Sequence, residues 1–210
     1  VRRVMLARKA RLVKHNSRLS QGSLLDIGTG TGYFPHFMQE RGWHVSAIEK
    51  SPQARQFAKE HFELDVAAPE ALNEFADKSF DVITLWHVME HLEHLNETWE
   101  TLKRILKDQG ILIIAVPNPT SFDAEKYKEM WGAYDVPRHL WHFSPSVMQQ
   151  FGAKHDFILC ERHPMPFDAF YVSMLSEKYR KSAFPFIKGL ITGAEAWIVS
   201  LAKKDRSSSM

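Results

Sequence analysis

Acidic residues and glycines stand where apolar runs end, and this placement is what could do chemistry. Asp26 lies inside the first run, Leu24–Ile27, and glycines follow at 28, 30 and 32. Glu49 closes the next run, His44–Ile48, and Asp65 closes a short one. Because ligands of parallel α/β sheets bind beyond the carboxyl ends of the strands, this spacing predicts a nucleoside-binding crevice at that edge.

The glycine spacing indicates a ligand without phosphate. A dinucleotide fingerprint has the order G-x-G-x-x-G, whereas here the order is G-x-G-x-G and Tyr33 takes the place of the third fingerprint glycine. A pyrophosphate must come close to the helix N-terminus, which a bulky side chain opposes. We therefore favour S-adenosylmethionine, whose ammonium would pair with Asp26, directly or through water, and whose amino-acid end needs the room at Gly28 and Gly30.

The two later acids suit the other end of that ligand. Glu49 follows Gly28 at about the 20-residue spacing expected of an acid that binds ribose hydroxyls. Asp65 is placed to accept a hydrogen bond from the adenine amino group. Lys50 and Val66 flank these acids, and the backbone near Trp86 is expected to line the methionine end. The predicted cofactor-binding set is Asp26, Gly28, Gly30, Glu49, Lys50, Asp65, Val66 and Trp86.

Residues 87–91 spell H-x-x-E-H, the zinc signature of inverted metallopeptidases. That chemistry needs both histidines on one helix face, but His87 ends an apolar run that predicts a strand. We therefore expect Glu90 and His91 to cap the following turn, and we expect no resident metal ion. A divalent ion held by His87, Glu90 and His91 is the open alternative.

Residues 120–143 carry many aromatic residues and histidines but little periodicity. Long irregular segments in compact domains are often lids or binding loops, so this segment is a candidate substrate loop. The alternative is aromatic packing that covers the sheet edge. If the favoured ligand, S-adenosylmethionine, gives its methyl group to a hydroxyl, a general base is needed. His87, His139 and His142 are the catalytic candidates for that base.

Strands alternate with helices along the first two thirds of the chain, which predicts a parallel sheet with helices on both faces. Ser51 and Pro52 supply an N-cap and a first helical residue. The expected strands are Ser23–Ile27, His44–Ile48, 63–66, Phe80–Trp86, Ile111–Val116 and Phe157–Arg162. The expected helices are 1–21, a segment from the glycine turn to Arg41, 52–61, 96–106, 144–151 and much of 173–203, with helical turns at 69–75.

Five segments together resemble the class I S-adenosylmethionine-dependent methyltransferases, and within them the small bacterial-type group that includes ubiquinone-type O-methyltransferases. The matching segments are LLDIGTGTGYF (24–34), AIEKSP (47–52), FDVITLWHVMEHL (80–92), LKDQGILIIAVPN (106–118) and PRHLWHFSP (137–145). The resemblance implies a doubly wound, Rossmann-like sheet of seven strands in the order 3-2-1-4-5-7-6, with the seventh antiparallel. It also implies that Glu49 binds the ribose, that Asp65 binds adenine, and that Gly28 and Gly30 face the methionine.

The function expected from this resemblance is methyl transfer from S-adenosyl-L-methionine to an oxygen or nitrogen of a small-molecule or lipid-like acceptor. A non-catalytic module that only holds the cofactor is the main alternative. An NAD-linked oxidoreductase is disfavoured by Tyr33. A nucleic-acid methyltransferase is disfavoured because no Asn-Pro-Pro-Tyr type segment follows the strand at 80–86.

Composition is that of an ordinary globular protein, with 210 residues, 44% hydrophobic and 25% charged. A net charge of +2 is too small to indicate a nucleic-acid partner. One cysteine excludes an intrachain disulfide, and the N-terminus lacks the apolar core of a signal peptide. We expect one soluble, cytoplasmic methyltransferase domain over 1–210, monomeric or homodimeric.

Both ends of the chain have a distinct character. Residues 1–21 predict a basic amphipathic helix, which we expect to pack one stripe on the sheet rather than to bind phosphate or anionic lipid. Within the helical segment 173–203, residues 184–201 could touch a membrane surface with Trp197 as anchor, although packing on the core or on a second subunit is favoured. The chain stops where one more strand would complete the layer, so we expect its natural end to be missing.

Overall fold

A computed structural model describes residues 2–210, which form two compact units. The first unit runs to Val88 and includes His94–Ile114. The second unit comprises Met89–Glu93 and Ala115–Met210. The expectation of a single domain over 1–210 stays a prediction.

A four-stranded sheet with the order β2-β1-β3-β4 organises the first unit. β1 pairs in parallel with β2 on one side and with β3 on the other, so that Asp26 lies opposite Ala47 and Thr84. These parallel pairs bring the carboxyl ends of β1, β2 and β3 to the same edge. The strands are β1 Ser23–Ile27, β2 His44–Ile48, β3 Phe80–Trp86 and β4 Leu106–Ala115.

The helices of this unit follow the signals in the sequence. Ser51 caps the helix at Pro52, because its hydroxyl accepts a hydrogen bond from the Ala54 N–H at 3.3 Å. Gly42, with a φ of +81°, lies in the turn that leads into β2. The helices are α1 Arg2–Ser17, α2 Tyr33–Gln39, α3 Pro52–Phe62 and α4 Leu95–Ile105, with a 3₁₀ segment at Pro69–Glu74.

The basic N-terminal helix packs on the sheet as expected. Val13 of α1 is fully buried in a core with Leu24 of β1 and Val82 of β3. Leu6 and Ala10, on the same side of α1, pack against that core. This stripe is apolar while the remaining positions of α1 carry all six of its Arg and Lys residues, so burial of one face accounts for the helix.

Two predicted strands are not formed among the described residues. The first is 63–66, where the nearest pairing is a single parallel bridge between Ile48 and Ala67, one residue further along the chain. Phe157–Arg162 lacks regular structure, and Ile158 is 87% exposed. The prediction of a strand there was wrong because the apolar run 157–160 does not pack into a buried core. The order of seven strands stays a prediction.

The second unit is built mainly from helices. Its helices are α5 Phe122–Tyr127, α6 Pro145–Lys154, α7 Pro166–Tyr179 and α8 Pro185–Ala202. The segment expected to be irregular, 120–143, contains α5 and two 3₁₀ turns. Tyr127 and Trp131 are each 1% exposed in a core with Val172 of α7. For these two aromatic residues the structure supports packing rather than a substrate wall.

Helices α7 and α8 approach closely through small residues. A Cβ atom added at Gly189 would lie 2.6 Å from the Met174 Cα, and one at Gly193 would lie 2.8 Å from the Phe170 Cα. The large apolar side chains of α8 lie on exposed positions instead, and they include Phe186, Ile187, Leu190, Ile191, Trp197, Ile198 and Leu201. Among residues 2–210, no helix has both the length and the apolarity that a bilayer crossing requires. Membrane-surface contact through 184–201 stays a prediction.

Candidate functional site

The turn after β1 is shaped by two glycines in the left-handed region. Gly28 has a φ of +68° and Gly30 a φ of +59°. The turn crosses the end of β2, because the N–H groups of Gly28 and Thr29 both donate to the Ile48 carbonyl, at 2.8 and 3.1 Å. A Cβ at Gly28 would meet the Val88 Cγ2 at 2.3 Å, whereas a Cβ at Gly30 would have no atom within 4 Å. The turn therefore leaves open space at Gly30.

The Glu49 carboxylate is fixed against this turn. Its Oε2 accepts the Gly30 N–H at 2.7 Å, and its Oε1 accepts the Ser51 N–H at 2.9 Å. Arg55 donates to the Glu49 carbonyl at 2.8 Å and so holds the end of β2. A carboxylate has about four acceptor positions, so both oxygens retain one for a further donor. This arrangement suits a vicinal diol.

Asp26 is a buried acid beside the turn, with 2% of its surface exposed. Its Oδ1 accepts a hydrogen bond from the Thr84 hydroxyl at 2.5 Å. Burial raises the pKa of Asp26 to about 6, against the lowering effects of the Thr84 hydrogen bond and the Lys9 charge. An approaching ammonium group would favour the ionised carboxylate and could be bound there.

The segment predicted to hold adenine lies beside the end of β2. The Ala67 N–H donates to the Ala47 carbonyl at 2.9 Å, and the Glu49 N–H donates to the Ala67 carbonyl at 3.0 Å. Val66 is half-buried there, and Lys50 is exposed. The Asp65 side chain is 87% exposed and pairs with Lys59 at 2.6 Å. Its predicted contact with adenine would thus compete with this ion pair.

Trp86 closes β3 and turns its ring into the packing of the first unit. The ring lies edge-on to Phe34 at 5.6 Å between centroids, and the Lys9 ammonium stands 4.6 Å above it. The ring is thus engaged in packing, and the expected contact of the backbone near Trp86 with the methionine end stays a prediction. His87 follows with a φ of +58°, outside the helical region. The H-x-x-E-H residues thus do not form the helix face that a zinc peptidase needs, as expected.

The other candidate histidines belong to the second unit. His139 Nδ1 lies 2.8 Å from the Ala133 carbonyl, and His142 Nε2 lies 3.1 Å from the Tyr134 carbonyl. A carbonyl only accepts, so these ring nitrogens carry the proton and the opposite nitrogens carry a lone pair. Burial lowers the pKa of His139 below its usual value, which keeps its imidazole neutral at neutral pH.

The sequence did not indicate that His139 lies with Glu90 and His91. The His91 and His139 rings are 4.7 Å apart between centroids and meet edge to face. His91 Nδ1 lies 2.9 Å from the Arg138 carbonyl. The open alternative for a metal named His87 beside Glu90 and His91, whereas the structure groups these two with His139. No periodic pattern connects the two segments, so spacing carried no signal for this grouping.

The residues of the first unit fit a nucleoside that bears an ammonium and a diol but no phosphate. Open space at Gly30, two free acceptor positions on Glu49 and the buried Asp26 carboxyl group all lie at one edge of the sheet. Tyr33 begins α2, where a pyrophosphate would have to approach. This donor and acceptor set agrees with S-adenosylmethionine.

Comparison with known proteins gives related sequences of one chemical class. An uncharacterized methyltransferase of Staphylococcus carnosus is 33% identical over 112 residues, which cover 52% of this chain and 53% of that protein. A ubiquinone biosynthesis O-methyltransferase of Pelagibacter ubique is 34% identical over 104 residues, covering 46% of this chain and 42% of that protein. The chain spans about half the length of the curated relatives it matches.

Solved structures and a family model complete the comparison. A SAM-dependent methyltransferase from Archaeoglobus fulgidus has a TM-score of 0.61 and 21% identity, over 86% of this chain and 87% of that chain. This likeness confirms the Rossmann-like α/β fold with a parallel sheet. A family model described as a methyltransferase domain matches residues 1–160, which is most of the chain. The chain therefore belongs to the class I S-adenosylmethionine-dependent methyltransferase family, whose cofactor is S-adenosyl-L-methionine.

Proposed function

We propose that this protein transfers a methyl group from S-adenosyl-L-methionine to an oxygen or nitrogen of a small-molecule or lipid-like acceptor. The observation that carries the proposal is the Glu49 carboxylate, which the Gly30 and Ser51 N–H groups hold against the glycine turn. A fixed carboxylate at the end of β2 selects a ligand with two adjacent hydroxyls. The open space at Gly30, beside this carboxylate, leaves room for the part of the ligand that extends from the ribose past the turn.

Each part of the cofactor would be held by a separate group of this chain. Glu49 would accept from the ribose hydroxyls, and Asp26 would pair with the ammonium. The turn at Gly28 and Gly30 would give room to the methionine chain. The segment at Asp65 and Val66 would border the adenine, with Lys50 at its exposed side. When bound, the cofactor supplies an electrophilic methyl group on a sulfonium.

The chain's own contribution to the rate is then alignment and proton removal. Holding donor and acceptor in line can supply effective molarities of about 10⁵ M or more. For a hydroxyl acceptor, a general base adds about 10²–10⁴-fold. His139 offers a neutral imidazole with Nε2 unprotonated, His142 offers Nδ1, and His87 stands at the end of β3. An acceptor that is already a carboxylate needs none of them.

Binding of adenosylhomocysteine to Glu49→Ala tests the cofactor site. One hydrogen bond to a charged group contributes about 1.5–3 kcal/mol, so loss of two ribose contacts should weaken binding at least about a hundredfold. Glu60→Ala is the matched control, because Glu60 is exposed on α3. Isothermal titration measures both variants, and urea unfolding confirms that each is folded.

Three outcomes would contradict different parts of the proposal. Unchanged affinity in folded Glu49→Ala would remove the cofactor site from this edge of the sheet. Tight binding by the unaltered protein without donor consumption, over a panel of hydroxy, amino, carboxylate and lipid-like acceptors, would favour the non-catalytic module. A full rate in alanine variants of all three histidines, measured as a pH–rate profile, would exclude a histidine base.

A further inference from the structure

Three side chains of the second unit converge on one point. Glu90, His91 and His139 each present one ligand-type atom, and these atoms all lie within 4.8 Å of one another. Ligands of one tetrahedral zinc ion stand about 2.0–2.1 Å from it, so any two are about 3.3–3.4 Å apart. Side-chain movements of about 1.5 Å or less would therefore let all three share one ion.

Both imidazoles are oriented through the nitrogen that would not bind the ion. His91 Nδ1 donates to the Arg138 carbonyl at 2.9 Å, and His139 Nδ1 donates to the Ala133 carbonyl at 2.8 Å. These bonds leave Nε2 of each ring as the lone-pair nitrogen. Metal-binding histidines almost always donate their other ring N–H to a carbonyl, carboxylate or water, which fixes tautomer and ring orientation.

Backbone and side-chain hydrogen bonds hold the two contributing segments together. The Glu90 carbonyl accepts the N–H of Leu140 at 2.8 Å and that of Trp141 at 3.3 Å. The Trp141 indole N–H donates to the Leu92 carbonyl at 2.7 Å. The relative position of Glu90 and His139 is thus set by the fold of this unit and does not depend on the metal.

The charge at this point also favours a cation. The Glu90 residue is 1% exposed, and a cation bound beside it would stabilise the buried carboxylate. Asp135 lies 3.8 Å from His139 Nε2 but is paired with Arg138 at 2.7 Å, which leaves the three converging side chains as the donor set.

We propose that Glu90, His91 and His139 form a binding site for one divalent transition-metal ion, with zinc as the best-matched ion. Two imidazoles and a carboxylate suit zinc and its neighbours, whereas magnesium and calcium prefer all-oxygen sets. Three protein ligands leave at least one coordination position open. The exposed side of His91 gives the ion a path from solvent.

This site and a base at His139 exclude each other, because both use Nε2 of the same ring. If the ion is bound, the base candidates are reduced to His87 and His142. The proposal goes beyond methyl transfer and is measured without it, so its failure would leave the proposed function untouched.

Zinc binding by the full chain, freed of metal with EDTA, tests the proposal. Isothermal titration with zinc should show one strong site, and cobalt should give a visible absorption band at that site. His91→Ala and His139→Ala should each lower zinc affinity at least about tenfold, since even changes to outer-shell partners lower it 10–100-fold. His142→Ala is the matched control, because it removes a histidine of the same segment whose ring lies against Tyr134, and it should keep full affinity.

Circular dichroism decides whether each variant is folded. His91→Ala carries the test if His139→Ala does not fold, because the His91 side is exposed. Absence of zinc binding by the EDTA-treated wild-type chain would overturn the proposal. Equal affinity in the wild type and in folded His91→Ala would overturn it as well, because the strong site would then lie elsewhere.

Discussion

The two glycines of the turn after β1 have nearly the same backbone conformation but different surroundings, and alanine at each position should separate folding from ligand binding. Gly28 and Gly30 have φ values of +68° and +59°. A methyl group at Gly28 would lie 2.3 Å from the Val88 Cγ2 and 3.1 Å from its Cγ1. A methyl group at Gly30 would project into open space.

The expected losses of unfolding free energy follow from the backbone conformation that the two glycines share and from the contact with Val88 that only Gly28 makes. A left-handed conformation costs a non-glycine residue about 1–2 kcal/mol, which applies to both substitutions. Overpacking against a short branched side chain adds about 1–3 kcal/mol at Gly28 only. Gly28→Ala should therefore lose about 2–5 kcal/mol and Gly30→Ala about 1–2 kcal/mol.

Urea unfolding followed by circular dichroism measures these losses. Val88→Ala in the Gly28→Ala background should recover most of the overpacking cost, and in the Gly30→Ala background it should show no coupling. Titration with adenosylhomocysteine supplies the second measurement. Gly30→Ala should remain folded yet lose affinity at least about tenfold, because its methyl group occupies the space that the ligand needs.

Three results would refute this reasoning. Equal stability losses at the two glycines would show that contact with Val88 does not matter. Additive effects of Gly28→Ala and Val88→Ala would show the same by another route. Undiminished affinity in Gly30→Ala would mean that the open space at the turn is not where the ligand lies.

Two further predictions concern buried polar groups. Because the pKa of Asp26 is raised to about 6, the folded chain keeps this proton between about pH 4 and pH 6 while the unfolded chain loses it, so the acid weakens the fold as pH rises. Urea unfolding of Asp26→Asn and the wild type at pH 4 and pH 7 measures this effect. The difference in unfolding free energy between the variant and the wild type should shift in favour of the variant by up to about 3 kcal/mol from pH 4 to pH 7. A difference that does not change with pH would contradict the prediction. Tyr127 donates to the buried Glu177 Oε1 at 3.0 Å, so Tyr127→Phe should lose about 1–3 kcal/mol. The exposed Tyr179→Phe should stay within about 0.5 kcal/mol, and equal effects of the two would contradict the prediction.

The elements of the first unit were predictable because local patterns and burial agree there. β1, β2 and β3 have the bounds that their apolar runs predict, and the Ser51–Pro52 pair marks the start of α3. β4 begins at Leu106, earlier than predicted, and Lys107 on it is anchored to Asp81 at 2.8 Å. The predicted start was Ile111, which follows the turn-forming residues Asp108 and Gly110, so a tertiary contact outweighed turn chemistry.

The site was predictable to the extent that it depends on strand ends. An acid that closes a parallel strand is placed by the sheet, which is why Glu49 lies against the glycine turn. Asp65 escaped this rule because no strand forms before it, and its side chain turns to Lys59. The meeting of Glu90 with His139 depends on hydrogen bonds between two irregular segments, and irregular segments leave no period in a sequence.

Which side of α8 meets water is decided on the opposite side of that helix. Only hydrogen atoms at Gly189 and Gly193 let its backbone lie against α7, and this close approach fixes the rotation of the helix about its own axis. The outward direction of Phe186, Trp197 and Ile198 is thus a by-product of two missing methyl groups. The position of an exposed apolar surface is therefore determined by two glycines that are not part of that surface.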